Sequence, residues 1–370
     1  MVNCEPRTAA YVEALRQAVT PGCTVIDLGS GPGVFAVLAC KFGAGRAIAI
    51  DPSDSVELIG PIAEANGCGD RITVIKELST NYIPTHKADV IVADLRGMLP
   101  LFEGLIPTLI DARERMLAPG GTMIPMRDVL NVALVESPES YRPYAEPWSR
   151  NLYDIDLRAG SRFAVNQLSK VALERDRLLA GPHEMAVLDY AEIASPDVAG
   201  TFDLEAERNA TAHGLLVWFD AELAPGIRFS NAPGEPRQVY GQTFFPFERP
   251  MDLDQGDRVT GEIAAKWLNN TYVWTWSSRF ARGTAEPQQQ FRQSTFLSAI
   301  IDPTRLKCRD GTFAPEQHPL QAIDRYCLTL IDGKRTLHDI ANEVAERFAG
   351  AFPEPADALD HVAELVSRYE

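Results

Sequence analysis

The sequence has no run of 18 apolar residues, so no segment is expected to cross a membrane as a helix. It has no Cys-x-x-Cys pair. Its six cysteines, at 4, 23, 40, 68, 308 and 327, fit no zinc spacing, and no metal is expected. Cationic side chains are in the minority: 35 Lys and Arg stand against 51 Asp and Glu, for a formal net charge of −16. A general nucleic-acid surface would need clustered Lys and Arg against phosphate, so none is expected, whereas a cationic or neutral peptide partner is compatible. The histidines are scattered without a ligand set, and His183 and His213 read as loop or barrel residues. The serines lack a nucleophile-elbow context. No charged segment followed by an apolar h-region opens the chain, so no signal peptide is expected. Cys23, Cys40 and Cys68 lie in stretches that read as core or helix. Buried thiols in a reducing, cytoplasmic compartment follow.

What is present is 370 residues, 45% apolar and 23% charged, enough for two or three domains. The first third alternates strand and helix patterns. "CTVIDLGSGPG" (23–33) is an apolar run ending in glycines, and "VFAVLACKFG" (34–43) reads as helix. "RAIAIDPSD" (46–54) reads as strand and "VELIGPIAEANG" (56–67) as helix. "RITVIKEL" (71–78), "ADVIVADL" (88–95) and "GTMIPMRDVLNVALVES" (121–137) continue the strands, while "LIPTLIDARERMLAPGG" (105–121) reads as a helix stopped by Pro-Gly-Gly. This predicts an α/β, doubly wound Rossmann-like domain over residues 1–126. Short alternating runs then predict an antiparallel β-barrel or sandwich over 127–284, with Trp274 and Trp276 as packing residues. "AEPQQQFRQS" (285–294) reads as a linker. Residues 293–370 form a small, largely helical C-terminal domain, in which Thr336 and Asp339 predict a capping box.

In "VIDLGSGPG", Gly29, Gly31 and Gly33 follow a buried strand and open a helix. There they let the backbone approach a ligand at the positive end of a helix dipole. Asp51 ends the second strand, 18 residues after Gly33, where a carboxylate can accept from both hydroxyls of a ribose. Asp27 before the glycines favours S-adenosylmethionine over a dinucleotide or a degenerate scaffold. Ser30, Pro52, Ser53 and Leu78 complete the expected cofactor set.

"ADLRGMLPLFE" (93–103) carries two acids, Asp94 and Glu103, nine positions apart, with Arg96 and Gly97 between them. Taken alone, the acids either hold a substrate or cap a strand and decorate a loop. Together with "RTAAY" (7–11), "VIDLGSGPG", "AIAID" and "HGLLVWFDAEL…GQTFFPF", this stretch resembles the protein arginine methyltransferases over residues 5–280. The resemblance implies that Arg7 pairs with the carboxylate of S-adenosylmethionine. It implies that Asp94 and Glu103 clamp the acceptor nitrogen, and Tyr11 and Tyr240 are expected at the substrate, with packing in the barrel as the equal alternative for Tyr240. Arg96, a cation where the family has none, is expected to tune which acceptor is allowed. The resemblance also implies a homodimer, with "YRPYAEPWSRNLYDIDLR" (141–158) in the place of the dimerisation arm. Departures are visible. Asp94 replaces a Glu, Arg96 replaces a Met, and "QVY" (238–240) replaces Thr-His-Trp. No counterpart of the family's N-terminal Tyr-Phe helix is expected. A side-chain amide such as Asn, or a folded protein, therefore remains an alternative acceptor, and a catalytically dead scaffold an alternative function.

"LTLIDGKRTLHDIANEVAERF" (328–348) resembles the winged-helix domains of the pyrroloquinoline quinone peptide-chaperone type, which recognise leaders of ribosomally made peptides. "STFLSAIIDPTRLKCRDGTF" (294–313) would be the preceding hairpin, and Ile340, Val344 and Phe348 one core face. The implied partner is a precursor peptide whose leader is held by residues 293–370. A generic helical dimerisation appendage is the alternative.

Overall fold

The apolar run before the glycines, Thr24–Leu28 (β1), becomes the central strand of a five-stranded parallel sheet. The other strands are Arg46–Ile50 (β2), Ile72–Ile75 (β3), Ala88–Ala93 (β4) and Leu117–Ile124 (β5), in the order β3-β2-β1-β4-β5. Val25, Ile26, Leu28, Ile48, Ile50 and Val90 through Ala93 are buried, as a sheet covered on both faces requires. Helices Glu5–Ala18 (α1), Val34–Lys41 (α2), Ile59–Ala65 (α3) and Leu105–Arg115 (α4) flank it. In α1 the buried positions are Arg7, Tyr11, Ala14 and Leu15, one stripe at helical spacing that carries a cation at its N-terminal end. The order of strands reverses between β1 and β4, the place where ligands bind in open α/β sheets.

The computed structural model describes residues 4–150, 153–283, 285–300, 302, 307, 311–316 and 318–369. They divide into two compact units, Met1–Ala299 and Ile300–Glu370.

The stretch expected as one strand over 121–137 is two, β5 and Arg127–Val135 (β6). Pro125 has no N–H to donate, so the ladder stops there. Met126 instead bonds its N–H to Glu222 O at 2.9 Å, and the chain passes into a second sheet. The helix expected over 105–121 ends at Arg115. Ala88 pairs with Leu117 and Val90 with Thr122, so Pro119-Gly120-Gly121 is a bulge in β5 rather than a helix stop.

Beyond β6 lie helices Pro138–Ser149 (α5) and Ser161–Ala164 (α6). Strands Ser169–Val171 (β7), Leu178–Asp189 (β8), Val198–Glu205 (β9), Ala210–Ala224 (β10), Ile227–Ser230 (β11) and Gln242–Leu253 (β12) follow. Arg258–Leu268 (β13), Thr271–Ala281 (β14) and Gln289–Ser294 (β15) end the unit. They form a six-stranded sheet, β7-β12-β10-β6-β8 with β11 on β10, and a four-stranded one, β15-β14-β13-β9. The arrangement is barrel-like, but the ladders do not close into the single barrel expected. Trp274 and Trp276 are buried edge-on to Phe245, at 5.5 and 5.4 Å between ring centroids. The expected linker 285–294 is corrected: β15 pairs with β14, burying Phe291 and Gln293 on alternate positions of an otherwise polar edge strand.

The second unit consists of helices Pro319–Leu330, Leu337–Arg347 and Pro355–Val366, and among its described residues there is no strand. Within the hairpin expected over 294–313, Thr295–Ser298 is a single 3-10 turn, while 301, 303–306 and 308–310 lie outside the described residues. The Thr336–Asp339 capping box forms, and Ile340 and Val344 are buried with Phe348 packed beside them.

Candidate functional site

β1 ends in a loop whose glycines all take left-handed backbone: φ is +65° at Gly29, +50° at Gly31 and +76° at Gly33, the N-cap of α2. A Cβ at Gly29 would lie 2.0 Å from Leu95 Cδ2 and one at Gly33 2.9 Å from Ile59 Cγ1, whereas one at Gly31 meets nothing nearer than Ser55 Oγ at 3.9 Å. Gly31 therefore faces open space, and its backbone is what a ligand would meet. Beneath the loop, Asp27 Oδ2 accepts from the Ala36 N–H at 3.0 Å. Its Oδ1 has no partner among the described residues, and burial pushes the carboxyl up to about 7. Asp51, at the end of β2, accepts from Gly31 N–H at 2.9 Å and from Ser53 N–H and Oγ–H at 2.8 and 2.6 Å.

A cavity of about 450 Å³ opens at the switch between β1 and β4. Of the expected residues, Gly29, Gly31, Asp51, Pro52, Leu78, Asp94, Arg96 and Glu103 line it. A hollow of about 80 Å³ shares Gly29, Gly31 and Asp94 with it and adds Arg7 and Ser30, whose buried Oγ has no partner among the described residues. Gly97 turns the loop: a Cβ there would stand 2.4 Å from Phe102 Cγ. That reversal brings Glu103 back to the cavity holding Asp94. Glu103 has φ +44°, rare for a side chain with a Cβ, and has no hydrogen-bond or ion-pair partner among the described residues.

Asp94 is the opposite case. It is buried and ion-paired with Arg7 Nε. The Tyr240 hydroxyl lies 2.7 and 2.6 Å from its two oxygens and 3.1 Å from Arg7 Nε. Arg96 Nη1 reaches Asp94 Oδ1 at 3.3 Å and donates to the Tyr11 hydroxyl at 2.6 Å, which itself donates to Ala93 O at 2.9 Å. Tyr11 and Tyr240, expected at the substrate, do not line either hollow. They stand behind Asp94 and Arg96, and burial raises both phenols well above their ordinary range.

Sequence reasoning missed the partner of Arg96. Asp128, on β6, takes its guanidinium bidentately, Nε to Oδ2 at 2.9 Å and Nη2 to Oδ1 at 2.8 Å. The Tyr190 hydroxyl donates to the same carboxylate at 2.5 Å. Burial works most strongly against the Arg96 charge, but Asp128, Tyr11 and Tyr190 together outweigh it and hold the guanidinium's pKa well above its usual value. The one available signal was an acid opening an apolar strand.

Comparison with known proteins gives the assignment. Residues 127–273 match the family model of the arginine methyltransferase oligomerization subdomain, and residues 5–125 that of ribosomal protein L11 methyltransferase (PrmA). An arginine N(omega)-methyltransferase of Streptomyces achromogenes subsp. streptozoticus is 31% identical over 275 residues, covering 70% of this chain and 73% of the relative. The chain belongs to the arginine methyltransferase family. Protein arginine N-methyltransferase 1 of Saccharomyces cerevisiae is 27% identical over 273 residues, covering 71% of this chain and 78% of the relative. The solved Trypanosoma brucei PRMT1 enzyme-prozyme heterotetrameric complex with AdoHcy shares the fold at a TM-score of 0.72 and 22% identity, covering 79% of this chain and 96% of that one. Members of the arginine methyltransferase family are S-adenosylmethionine-dependent transferases, and these residues fit that cofactor. The glycine cradle, a carboxylate ending β2, an unsatisfied Ser30 hydroxyl and a guanidinium at Arg7 suit a nucleoside at one end and an amino-acid group at the other.

Proposed function

We propose that this enzyme methylates a side-chain nitrogen of a ribosomally synthesised precursor peptide, with the arginine guanidino group as acceptor and the C-terminal unit holding the leader. The observation that carries the transfer reading is the free carboxylate of Glu103 on the same cavity as the glycine loop and Asp94. Asp51, Pro52, Ser53 and Leu78 hold the nucleoside end of the cofactor. Gly31 gives it room and Ser30 lines its amino-acid end, Gly29 and Gly33 let the loop pack closely on Leu95 and Ile59, Asp27 braces the loop from beneath, and Arg7 takes its carboxylate. Bound S-adenosylmethionine supplies an electrophilic methyl group on a sulfonium.

The chain's own work is positioning and electrostatics. Glu103 accepts hydrogen bonds from the acceptor's N–H groups, which draws positive charge toward itself. The attacking nitrogen is left nucleophilic, and Glu103 Oε takes the proton that nitrogen sheds. Asp94, fixed and charge-matched by Arg7, Tyr240 and Arg96, shapes the wall of the same cavity. A free acid at this point also favours catalysis over a dead scaffold.

For the C-terminal unit, the support is the capped helix from Leu337 and the buried face of Ile340, Ala341 and Val344, together with the resemblance described above. The reading as a winged helix rests on that resemblance. A homodimer built through residues 141–158 accords with the oligomerization subdomain matched over 127–273. The test is tandem mass spectrometry after incubation with methyl-labelled S-adenosylmethionine. The acceptors are the precursor peptide, a synthetic peptide with one arginine, and arginine itself, because the Streptomyces relative is named for that amino acid. A methyl on a guanidino nitrogen supports the proposal; a methyl only on an amide or another nitrogen overturns the choice of acceptor.

A further inference from the structure

Asp94 has two flanking guanidiniums, and only one of them belongs to the cofactor side. The second, Arg96, is held, directly or through Asp128, by groups from four elements of the unit. Asp128 comes from β6, Tyr190 from the turn after β8, and Phe219 and Phe229 from β10 and β11 face the guanidinium at 5.4 and 5.6 Å. Arg96 itself sits on the loop that leads from β4 to Glu103. Two buried cations, Arg7 and Arg96, are balanced by two buried acids, Asp94 and Asp128, and all four side chains are almost wholly enclosed. Without Asp128 the cluster would carry an uncompensated buried charge. The charge of Arg96 is thus matched by Asp128 and does not stand free against an incoming cation.

We propose that Asp128 and Tyr190 are positioning residues for acceptor selection, holding Arg96 as an internal guanidinium on Asp94 so that Glu103 alone carries the acceptor's charge. The proposal rests on the guanidino reading above. A carboxylate has about four acceptor positions. Arg7 Nε, the Tyr240 hydroxyl and Arg96 Nη1 take three of those of Asp94, and two of these donors are cations that match its charge. An acceptor cation therefore meets one unpaired carboxylate rather than a two-acid clamp. The site takes a singly charged acceptor, anchored at Glu103 and oriented by the loop that Arg96 fixes. Asp128 and Tyr190 touch neither substrate; they act through Arg96.

The experiment is steady-state kinetics of the full chain with S-adenosylmethionine and the single-arginine peptide, alongside thermal denaturation. Tyr190→Phe and Asp128→Asn are expected to lower kcat/KM for the peptide by about tenfold or more, the loss of a hydrogen bond to a charged group. KM for S-adenosylmethionine should stay within about twofold, because Arg7 keeps its partners. Where Asp128→Asn unfolds, Arg96→Met with Asp128→Asn removes both charges and is expected to restore the melting temperature. In that double variant Asp94 Oδ1 is released toward the acceptor, and KM for the peptide should fall below wild type. The proposal is overturned if peptide KM is unchanged in every variant and kcat follows thermal stability alone. It is equally overturned if the double variant regains wild-type kinetics throughout. A methyl found on another nitrogen sinks the guanidino reading but not the positioning role, since the same comparison of KM values is then made on that acceptor. With no methyl transferred to any acceptor, both fall.

Discussion

Arg96 and Asp128, 32 positions apart in the chain, form a bidentate ion pair with both side chains almost fully buried. The pair joins the loop that carries Asp94 and Glu103 to the first strand of the barrel-like half. Breaking one side of such a pair is far more damaging than removing both. Asp128→Asn should destabilise by about 3–5 kcal/mol, and the Arg96→Met/Asp128→Asn double variant by much less. Urea denaturation checks it. Equal losses in the two variants would show that packing around the pair, rather than its charge, sets the cost.

Among the described residues Glu103 has no hydrogen-bond or ion-pair partner to lose. Glu103→Gln should leave stability within about 0.5 kcal/mol of wild type, as for a surface change. It should cut kcat by about 10²–10³-fold, the usual cost of one aligned electrostatic group. S-adenosylmethionine affinity, measured by calorimetry, should hardly move. A kcat close to wild type would remove Glu103 from the machinery.

Asp27 gives the protein a pH dependence of definite sign. Its carboxyl is pushed from 3.8 up to about 7, chiefly by burial and only partly opposed by the Ala36 N–H. The folded value lies above the unfolded one, so between them the native state keeps a proton that the unfolded chain has released. Stability is therefore fully present below 3.8, falls as pH rises, and levels off above about 7. Asp27→Asn should flatten that slope. Melting curves across this window decide the matter, and parallel profiles for the two proteins would place the slope elsewhere.

Gly31 separates cofactor room from folding room. A methyl there meets only Ser55 Oγ at 3.9 Å, but φ is +50°. Gly31→Ala should cost about 1 kcal/mol in stability from backbone strain. The loss of S-adenosylmethionine affinity should be larger, because the added Cβ projects where the cofactor would lie. An affinity loss no greater than the stability loss would count against a ligand at this point of the loop.

The C-terminal unit is tested by truncation at the right place. Ending the chain after Ala299 keeps β15, with its buried Phe291 and Gln293, whereas ending it after Arg282 strips that edge strand from the four-stranded sheet. The first truncation should retain the melting temperature of the larger unit and turnover on the single-arginine peptide, but lose turnover on a leader-bearing precursor. The second should lower the melting temperature. Unchanged turnover on the precursor after the first cut would end the leader-binding proposal.

Much of the fold was legible because its signals are local. The alternation of apolar strands and helices, the glycines after β1 and the acid ending β2 each depend on neighbours within a few residues, and they mark the cofactor side directly. The Thr336 capping box is legible for the same reason. The linker over 285–294 was misread because a polar edge strand has no hydrophobic run to announce it. Phe291 and Gln293 are buried by what β14 and β12 place over them. The β5 bulge was misread as a helix stop because Pro-Gly-Gly serves either role, and only pairing with β4 chooses.

By itself the sequence determined the residue types at the site, their order, and the nine-residue spacing of Asp94 and Glu103. Tertiary structure alone decided what each acid does. Asp94 is engaged by Arg7, by Tyr240 from 146 positions away and by Arg96, while Glu103 has no such partner among the described residues. The reason is physical. A buried charge must be matched by whatever partners the fold brings within hydrogen-bond reach. Those partners come from strands far apart in the chain, where spacing carries no information about contact.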